Sequence, residues 1–265
     1  MFSEVLFMKT KKANSIVAIL ICLTILFTVS CDMFTNSLLK GAARDMSDIM
    51  KNASTSELLA AGANPDIIGD PAAAQAAMDA LAGKDLSNIS AEDASNVCSL
   101  ASSAILPVST LMDAIGKITE DKDESEESEE STNVISSVLG SVPTDVNTGA
   151  IEQVLNNEKL VKETEIGDVT MATVSLMASS LAKKDCTEEE RNQAWTNISR
   201  NLKEKTTVDE VLAGTGFEND SSMKIAVKAA LIIKTRDDTS SLSIGGFNLG
   251  EVIGVEEEEN EDSSN

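Results

Sequence analysis

The chain has 265 residues, with 44 acidic and 21 basic side chains and a formal net charge of -23 at pH 7. Such a surface repels nucleic acid and anionic lipid headgroups, so the charge argues against a nucleic-acid binder. The absence of His removes the commonest general base, the Ser–His and Cys–His nucleophile pairs and the commonest zinc ligand. Aromatic residues make up only 3 %, whereas β-sheets are enriched in them. Composition therefore favours a mainly α-helical body.

The N-terminus has the three parts of a bacterial export signal. Three lysines precede an apolar run over 16–29, and the small residue Ser30 stands directly before Cys31. The run falls short of the roughly 20 apolar residues that a membrane-spanning helix needs, so we expect cleavage rather than the alternative, an uncleaved helix. A signal peptide begins with a positively charged region, but residues 1–7 contain an acid and several apolar residues ahead of the lysines. We therefore expect translation to start at Met8, with Met1 as the alternative.

The residues TVSC, 28–31, resemble the bacterial lipobox, and Thr28 in place of the more common Leu is similar to the relaxed lipobox of spirochaete lipoproteins. This resemblance covers only the N-terminal segment, and it implies that Cys31 is acylated and becomes the first residue of the mature chain. Cys22 is the weaker candidate because the bulky Ile21 precedes it within the apolar run. Stable anchoring takes more than one lipid chain, so acylation at Cys31 predicts a membrane anchor without a spanning helix.

The first half of the body carries regular helix signals. Apolar residues recur at helical spacing over 36–50, and the helices that follow are predicted to begin at Ser, Asn or Asp caps and to end at Gly or Pro. The predicted N-caps are Ser54, Asn64, Asp70 and Ser90, and the predicted stops are Gly62, Gly83, Pro107 and Gly116.

One of these helical segments, NPDIIGDPAAAQAAMDAL at 64–81, resembles part of the TPR-like lipoproteins that accompany TRAP transporters. The likeness covers under a tenth of the chain, and the aromatic positions of that family are missing. What it implies is a helical-repeat adaptor.

An acidic stretch that contains DKDESEESEES separates two helical halves. It has no apolar side chain to bury, so residues 119–133 are predicted to form a disordered loop. The acidic tail, 255–265, is predicted to be disordered as well. With the signal peptide at 1–30, the predicted helical subdomains are 31–118 and 134–254. The predicted fold class is thus mainly α: an irregular helical bundle or stacked helical hairpins in two parts.

The second half repeats the helical pattern. One helix is predicted from about 148 to 161, and the next, over 168–181, is apolar on nearly all sides and should be central. Thr187, Thr207 and Asp220 are predicted to cap three further helices. In the first of these helices, one face is formed by Arg191, Trp195, Ile198 and Leu202.

Motifs that carry chemistry are incomplete. Ser37–Lys40 and Ser221–Lys224 both fit S-x-x-K, the nucleophile pattern of penicillin-binding enzymes, but the companion motifs are missing. Gly214-Thr215-Gly216 lacks the third spaced glycine of a dinucleotide-binding loop and is instead predicted to be a turn. The acidic stretch lacks the glycine and glutamate of a calcium-binding loop. The sequence therefore predicts no catalytic residue, no cofactor and no metal site.

Two cysteines remain once Cys31 is acylated. In an oxidising envelope, Cys98 and Cys186 either form a disulfide or stay as two free thiols. Cys98 lies on the apolar stripe of its helix, where a buried free thiol is common. Sequence does not supply the Cα separation that would decide between them.

Together these features predict a lipoprotein of the cell envelope, on the inner or outer membrane and facing the periplasm or the cell surface. We expect a non-enzymatic adaptor or structural protein that contacts a protein partner. The alternative is a transport-associated or ligand-binding lipoprotein with a pocket between helices. A hydrolase that uses Ser or carboxylates is the third candidate, which paired carboxylates in a cleft would favour.

Overall fold

The computed structural model describes residues 46–113, 138–238, 243–244, 247–248, 250 and 253–255. Contacts divide the chain into a unit that ends at Met46 and a unit from Ser47 to Asn265. Apart from Met46, the described residues belong to the second unit. The lipobox with Cys31, the predicted loop 119–133 and the tail beyond Val255 lie outside the described residues.

The described body is helical, which confirms the predicted mainly α class. A single small antiparallel hairpin is the only strand pair among the described residues, with Ser243 opposite Asn248 and Ile244 opposite Phe247. The elements in chain order are α1 (Met46–Lys51), α2 (Thr55–Ala61), α3 (Pro65–Ile68), α4 (Pro71–Leu81), α5 (Ala91–Ile105), α6 (Gly149–Asn156), α7 (Glu158–Glu163), α8 (Ile166–Lys183), α9 (Glu188–Glu204), α10 (Val208–Leu212), α11 (Ser221–Ile233), β1 (Ser243–Ile244) and β2 (Phe247–Asn248).

The predicted helix caps are formed. Ser54 accepts a hydrogen bond from the backbone N–H of Glu57, whose carboxylate accepts one from the backbone N–H of Ser54, and the same reciprocal pair begins α9. Such bonds satisfy N–H groups that have no partner within the helix. Side chains also cap the other predicted starts, at Asn64, Asp70, Ser90, Thr207 and Asp220.

One predicted helix is divided. The segment predicted as continuous from about 148 to 161 forms α6 and α7, with a break at Asn157. The backbone of Asn157 is extended, and its side-chain oxygen accepts a hydrogen bond from the N–H of Leu160. An Asn side chain favours this kind of N-cap over a helix interior, so it starts a second helix here.

Helix α8 is the centre of the fold, as its apolar pattern predicts. All its residues from Val169 to Ala182 are buried, and it packs against α5 on one side and α11 on another. Helices from both sides of the predicted acidic boundary, including α4, α5, α6 and α11, thus share one hydrophobic core. A helix that is apolar all round must be covered on several sides, which here requires both halves of the chain.

The chain after α11 is tied back to the bundle. A guanidinium nitrogen of Arg236 donates to the carbonyls of Val161 and Thr164, both at 2.8 Å, where α7 ends. The same guanidinium forms a two-bond ion pair with Asp238. Arg236 thereby satisfies carbonyls that α7 leaves open at its C-terminus.

Candidate functional site

A groove of about 570 Å³ lies beside the first half of α9. One wall is formed by α9 itself, and the other by residues 214–217, which follow α10. The connection from α8 to α9, 184–186, closes one side. This volume falls within the range of about 300 to 1,000 Å³ that is typical of ligand pockets, although the groove is open to solvent.

Local sequence shapes the wall opposite α9. Gly214 and Gly216 have φ values of 72° and 79°, in the left-handed region that glycine adopts without strain. Between them, the Thr215 hydroxyl donates to the carbonyl of Leu212 at 2.7 Å and accepts from the N–H of Phe217 at 3.3 Å. The turn thereby holds the Phe217 ring, which is 2 % exposed, against the core beneath the groove.

Lys184 lies inside the groove and is bound there. Its ammonium stands 4.1 Å from the centroid of the Phe217 ring and donates a hydrogen bond to the carbonyl of Gly216. A cation over an aromatic face is attracted by the negative charge density of the ring. The groove therefore already holds one cation, which belongs to the chain itself.

Two neighbouring carboxylates stabilise the local structure. Hydrogen bonds from its own backbone N–H and from that of Gly216 hold the pKa of Glu218 below its usual value, with a further contribution from the charge of Lys184. The backbone N–H and the hydroxyl of Thr187 lower the pKa of Glu190, and Lys184 again adds to the shift. Both groups are ionised at neutral pH.

Two other carboxylates at the rim have no partner among the residues that the structure describes. The side chains of Asp185 and Glu189 line the groove, are exposed, and make no hydrogen bond or ion pair with any described residue. Glu188 and Glu189 also border a second, shallower depression on the adjoining face of α9. The mouth of the groove is therefore negatively charged.

A separate polar cluster connects α6 to α11. The hydroxyls of Thr148 and Ser222 donate to the same carboxylate oxygen of Glu152, at 2.7 and 2.6 Å. Nearby, the ammonium of Lys183 donates to the carbonyl of Val146 at 2.8 Å. Partial removal from water lowers the pKa of Lys183, and the charges of Glu152, Asp220 and Asp145 oppose that shift. The cluster ties α6 to the start of α11.

The S-x-x-K segments do not form a nucleophile pair in the described residues. Ser221 is exposed at the start of α11 and shares no hydrogen bond with Lys224. Its neighbour Ser222 is the hydroxyl that contacts Glu152, and it bridges two helices. Ser37 and Lys40 lie outside the described residues.

Both described cysteines are free, so the disulfide alternative is not formed in this structure. Cys98 is fully buried in α5, where burial raises the pKa of its thiol and the negative charge of Asp168 adds to the effect. Cys186 is partly exposed in the wall of the groove. The two side chains thus occupy different environments, one in the core and one at the surface.

Within the described ranges, no three His, Cys, Asp or Glu side chains come together as a metal site. No helix there combines the length and apolarity that crossing a membrane requires. No protein-family model, curated protein or solved structure matches the chain.

Sequence reasoning identified the glycine turn and the cap of α9 but did not bring them together as a groove. Lys184 and Gly216 are 32 positions apart. The signal that was available is the segment GTGF at 214–217, in which two glycines precede a buried aromatic residue. Nothing in that segment alone indicates which lysine reaches it.

Proposed function

We propose that the chain is a lipid-anchored envelope protein whose helical body acts without catalysis by binding a protein partner at the groove beside α9. Support for the anchor comes from the sequence: the basic region, the apolar run 16–29 and the small residue before Cys31. Support for the contact surface comes from the groove. Its exposed carboxylates, Asp185 and Glu189, have no partner among the described residues.

The unused rim carboxylates are the observation that carries the proposal. Their position at the mouth of a groove is what matters, whereas a carboxylate such as Glu152 is used between α6 and α11. Charged groups at the edge of a concave surface give a partner orientation and speed its encounter. A lipid anchor would also keep the body next to other envelope proteins, so that weak contacts suffice.

Site-specific photocrosslinking in intact envelopes tests this function. A benzophenone amino acid in place of Gln193, which lines the groove, should capture a discrete protein species after irradiation. The same probe in place of Asp79, exposed on α4, is the matched control and should not capture it. Equal capture from both positions, or none from the groove, would contradict the proposal.

The ligand-binding alternative is supported by one observation, the groove volume of about 570 Å³, which suits a small molecule. Native mass spectrometry of the purified chain distinguishes the two functions. A small molecule that is retained by the purified chain and displaced by a substitution at Gln193 favours the alternative.

A further inference from the structure

We infer that the groove beside α9 recognises a basic segment of the partner protein, with a lysine or arginine side chain placed between Asp185 and Glu189. This inference rests on the proposed function and adds the chemistry of the partner. Three features of the groove lead to it: the charge of its rim, the small extent of its apolar lining and the cation that it already holds.

The rim selects for positive charge. Asp185 and Glu189 are exposed on the two sides of the α9 start and have no partner in the described part of the chain. Glu188 adds a third negative charge on the next face of α9. Because the whole chain also carries a net charge of -23, an acidic partner would be repelled at long range and a basic one attracted.

The apolar lining of the groove is small. Phe217 and Ala194 line the groove but are only 2 % and 5 % exposed, and the ammonium of Lys184 already covers the Phe217 ring. Selection of the partner's side chain therefore rests on charge rather than on burial of its methylene groups.

Lys184 demonstrates that the groove accepts such a side chain. Its ammonium lies over the Phe217 ring and donates to the backbone carbonyl of Gly216, and its positive charge contributes to the lowered pKa of Glu190 and of Glu218. An aromatic face and a carbonyl oxygen are both favourable partners for an ammonium. Lys184 therefore competes with the partner for the inner end of the groove, while Asp185 and Glu189 stay open at its mouth.

Peptide binding to the full chain tests the inference. Fluorescence anisotropy would compare a labelled lysine-containing peptide with the same peptide acetylated on its lysines. The unmodified peptide should bind, and the double variant Asp185→Asn/Glu189→Gln should weaken binding about fivefold, because each exposed ion pair contributes only modestly. Lys184→Met keeps the side-chain stem on Phe217 and removes the competing charge, so binding should strengthen.

The matched control separates site recognition from general attraction by an acidic protein. Asp79→Asn/Glu92→Gln removes the same two charges from exposed positions on α4 and at the start of α5. It should leave peptide binding unchanged. Equal weakening by both double variants, equal binding of the acetylated peptide, or weaker binding by Lys184→Met would overturn the inference.

The outcomes also separate this inference from the proposed function. A protein captured by crosslinking at Gln193, together with indifference to peptide charge, would overturn the basic-segment inference and leave the contact function standing. Charge-dependent peptide binding without any captured envelope protein would overturn the contact function, while showing that the groove itself prefers basic chains.

Discussion

Asp168 links the start of α8 to α5 through a half-buried carboxylate. It accepts hydrogen bonds from the hydroxyls of Ser95 and, at 3.5 Å, Ser99. Burial raises the pKa of Asp168 and the charge of Glu165 acts in the same direction, against the two hydroxyls. An acid whose pKa is higher in the folded state favours folding when protonated. Its contribution is therefore lost as pH rises from about 4 through the folded-state pKa.

We expect Asp168→Asn to have a larger free energy of unfolding than the wild type at pH 7, because the amide oxygen still accepts from Ser95 without the cost of a half-buried charge. The difference should shrink as pH falls through the folded-state pKa of Asp168 toward about 4, because the wild-type carboxyl is then also neutral. Urea unfolding followed by the fluorescence of Trp195, the single and fully buried tryptophan, measures it. Asp66→Asn, at an exposed first-turn position, is the control and should give no such gain. If the difference in the free energy of unfolding between Asp168→Asn and the wild type did not change with pH, a raised pKa of Asp168 would be contradicted.

The two cysteines should differ sharply in reactivity. Iodoacetamide should modify Cys186 in the folded chain and reach Cys98 only in denaturant, because burial both blocks access and keeps the Cys98 thiol protonated. Peptide mass mapping with and without denaturant measures the pattern, and Cys186→Ser serves as the blank. A non-reduced peptide that joins Cys98 to Cys186 would instead restore the disulfide alternative.

At the scale of elements, the contact between α2 and α5 depends on a glycine. A Cβ atom at Gly62 would lie 2.1 Å from the backbone carbonyl oxygen of Asn96 in α5, which cannot move without shifting that helix. We expect Gly62→Ala to lower the free energy of unfolding by about 1–3 kcal/mol, the usual cost of overpacking. Gly83→Ala, just after α4, is the control: a Cβ atom there would have no neighbour within 4 Å, and its effect should stay within about 0.5 kcal/mol. Similar losses in the free energy of unfolding for Gly62→Ala and Gly83→Ala would show that the close contact between Gly62 and Asn96 is not what requires glycine.

At the scale of the whole molecule, the anchor is the decisive prediction. Cells grown with labelled palmitate should incorporate label into the wild type and into Cys22→Ala but not into Cys31→Ala. The reason is that only Cys31 follows a small residue at the end of the apolar run. Gel fluorography of the immunoprecipitated protein measures incorporation, and extraction of Cys31→Ala from membranes by buffer alone gives a second readout. Label that depends on Cys22 would contradict the assignment.

The helix starts were determined by the sequence because their bonds are local. Ser54 and Glu57, or Thr187 and Glu190, are three residues apart, so the pairing is visible in the chain without knowledge of the fold. The central place of α8 was equally predictable, since its apolar residues leave no side for solvent. The break at Asn157 was missed because the same Asn side chain is compatible with a helix surface and with a cap.

Only the tertiary structure decided which distant residues meet. Asp168 reaches Ser95 across 73 positions, and Lys184 reaches Gly216 across 32. The packing of α8 against both α5 and α11 likewise merged the two predicted halves into one core. Hydrophobic patterning determines that a face is buried but is non-directional, so it leaves open which partner buries it. The groove beside α9 arises from that choice of partners, and for this reason the sequence by itself predicted its turn and its helix cap but not the site.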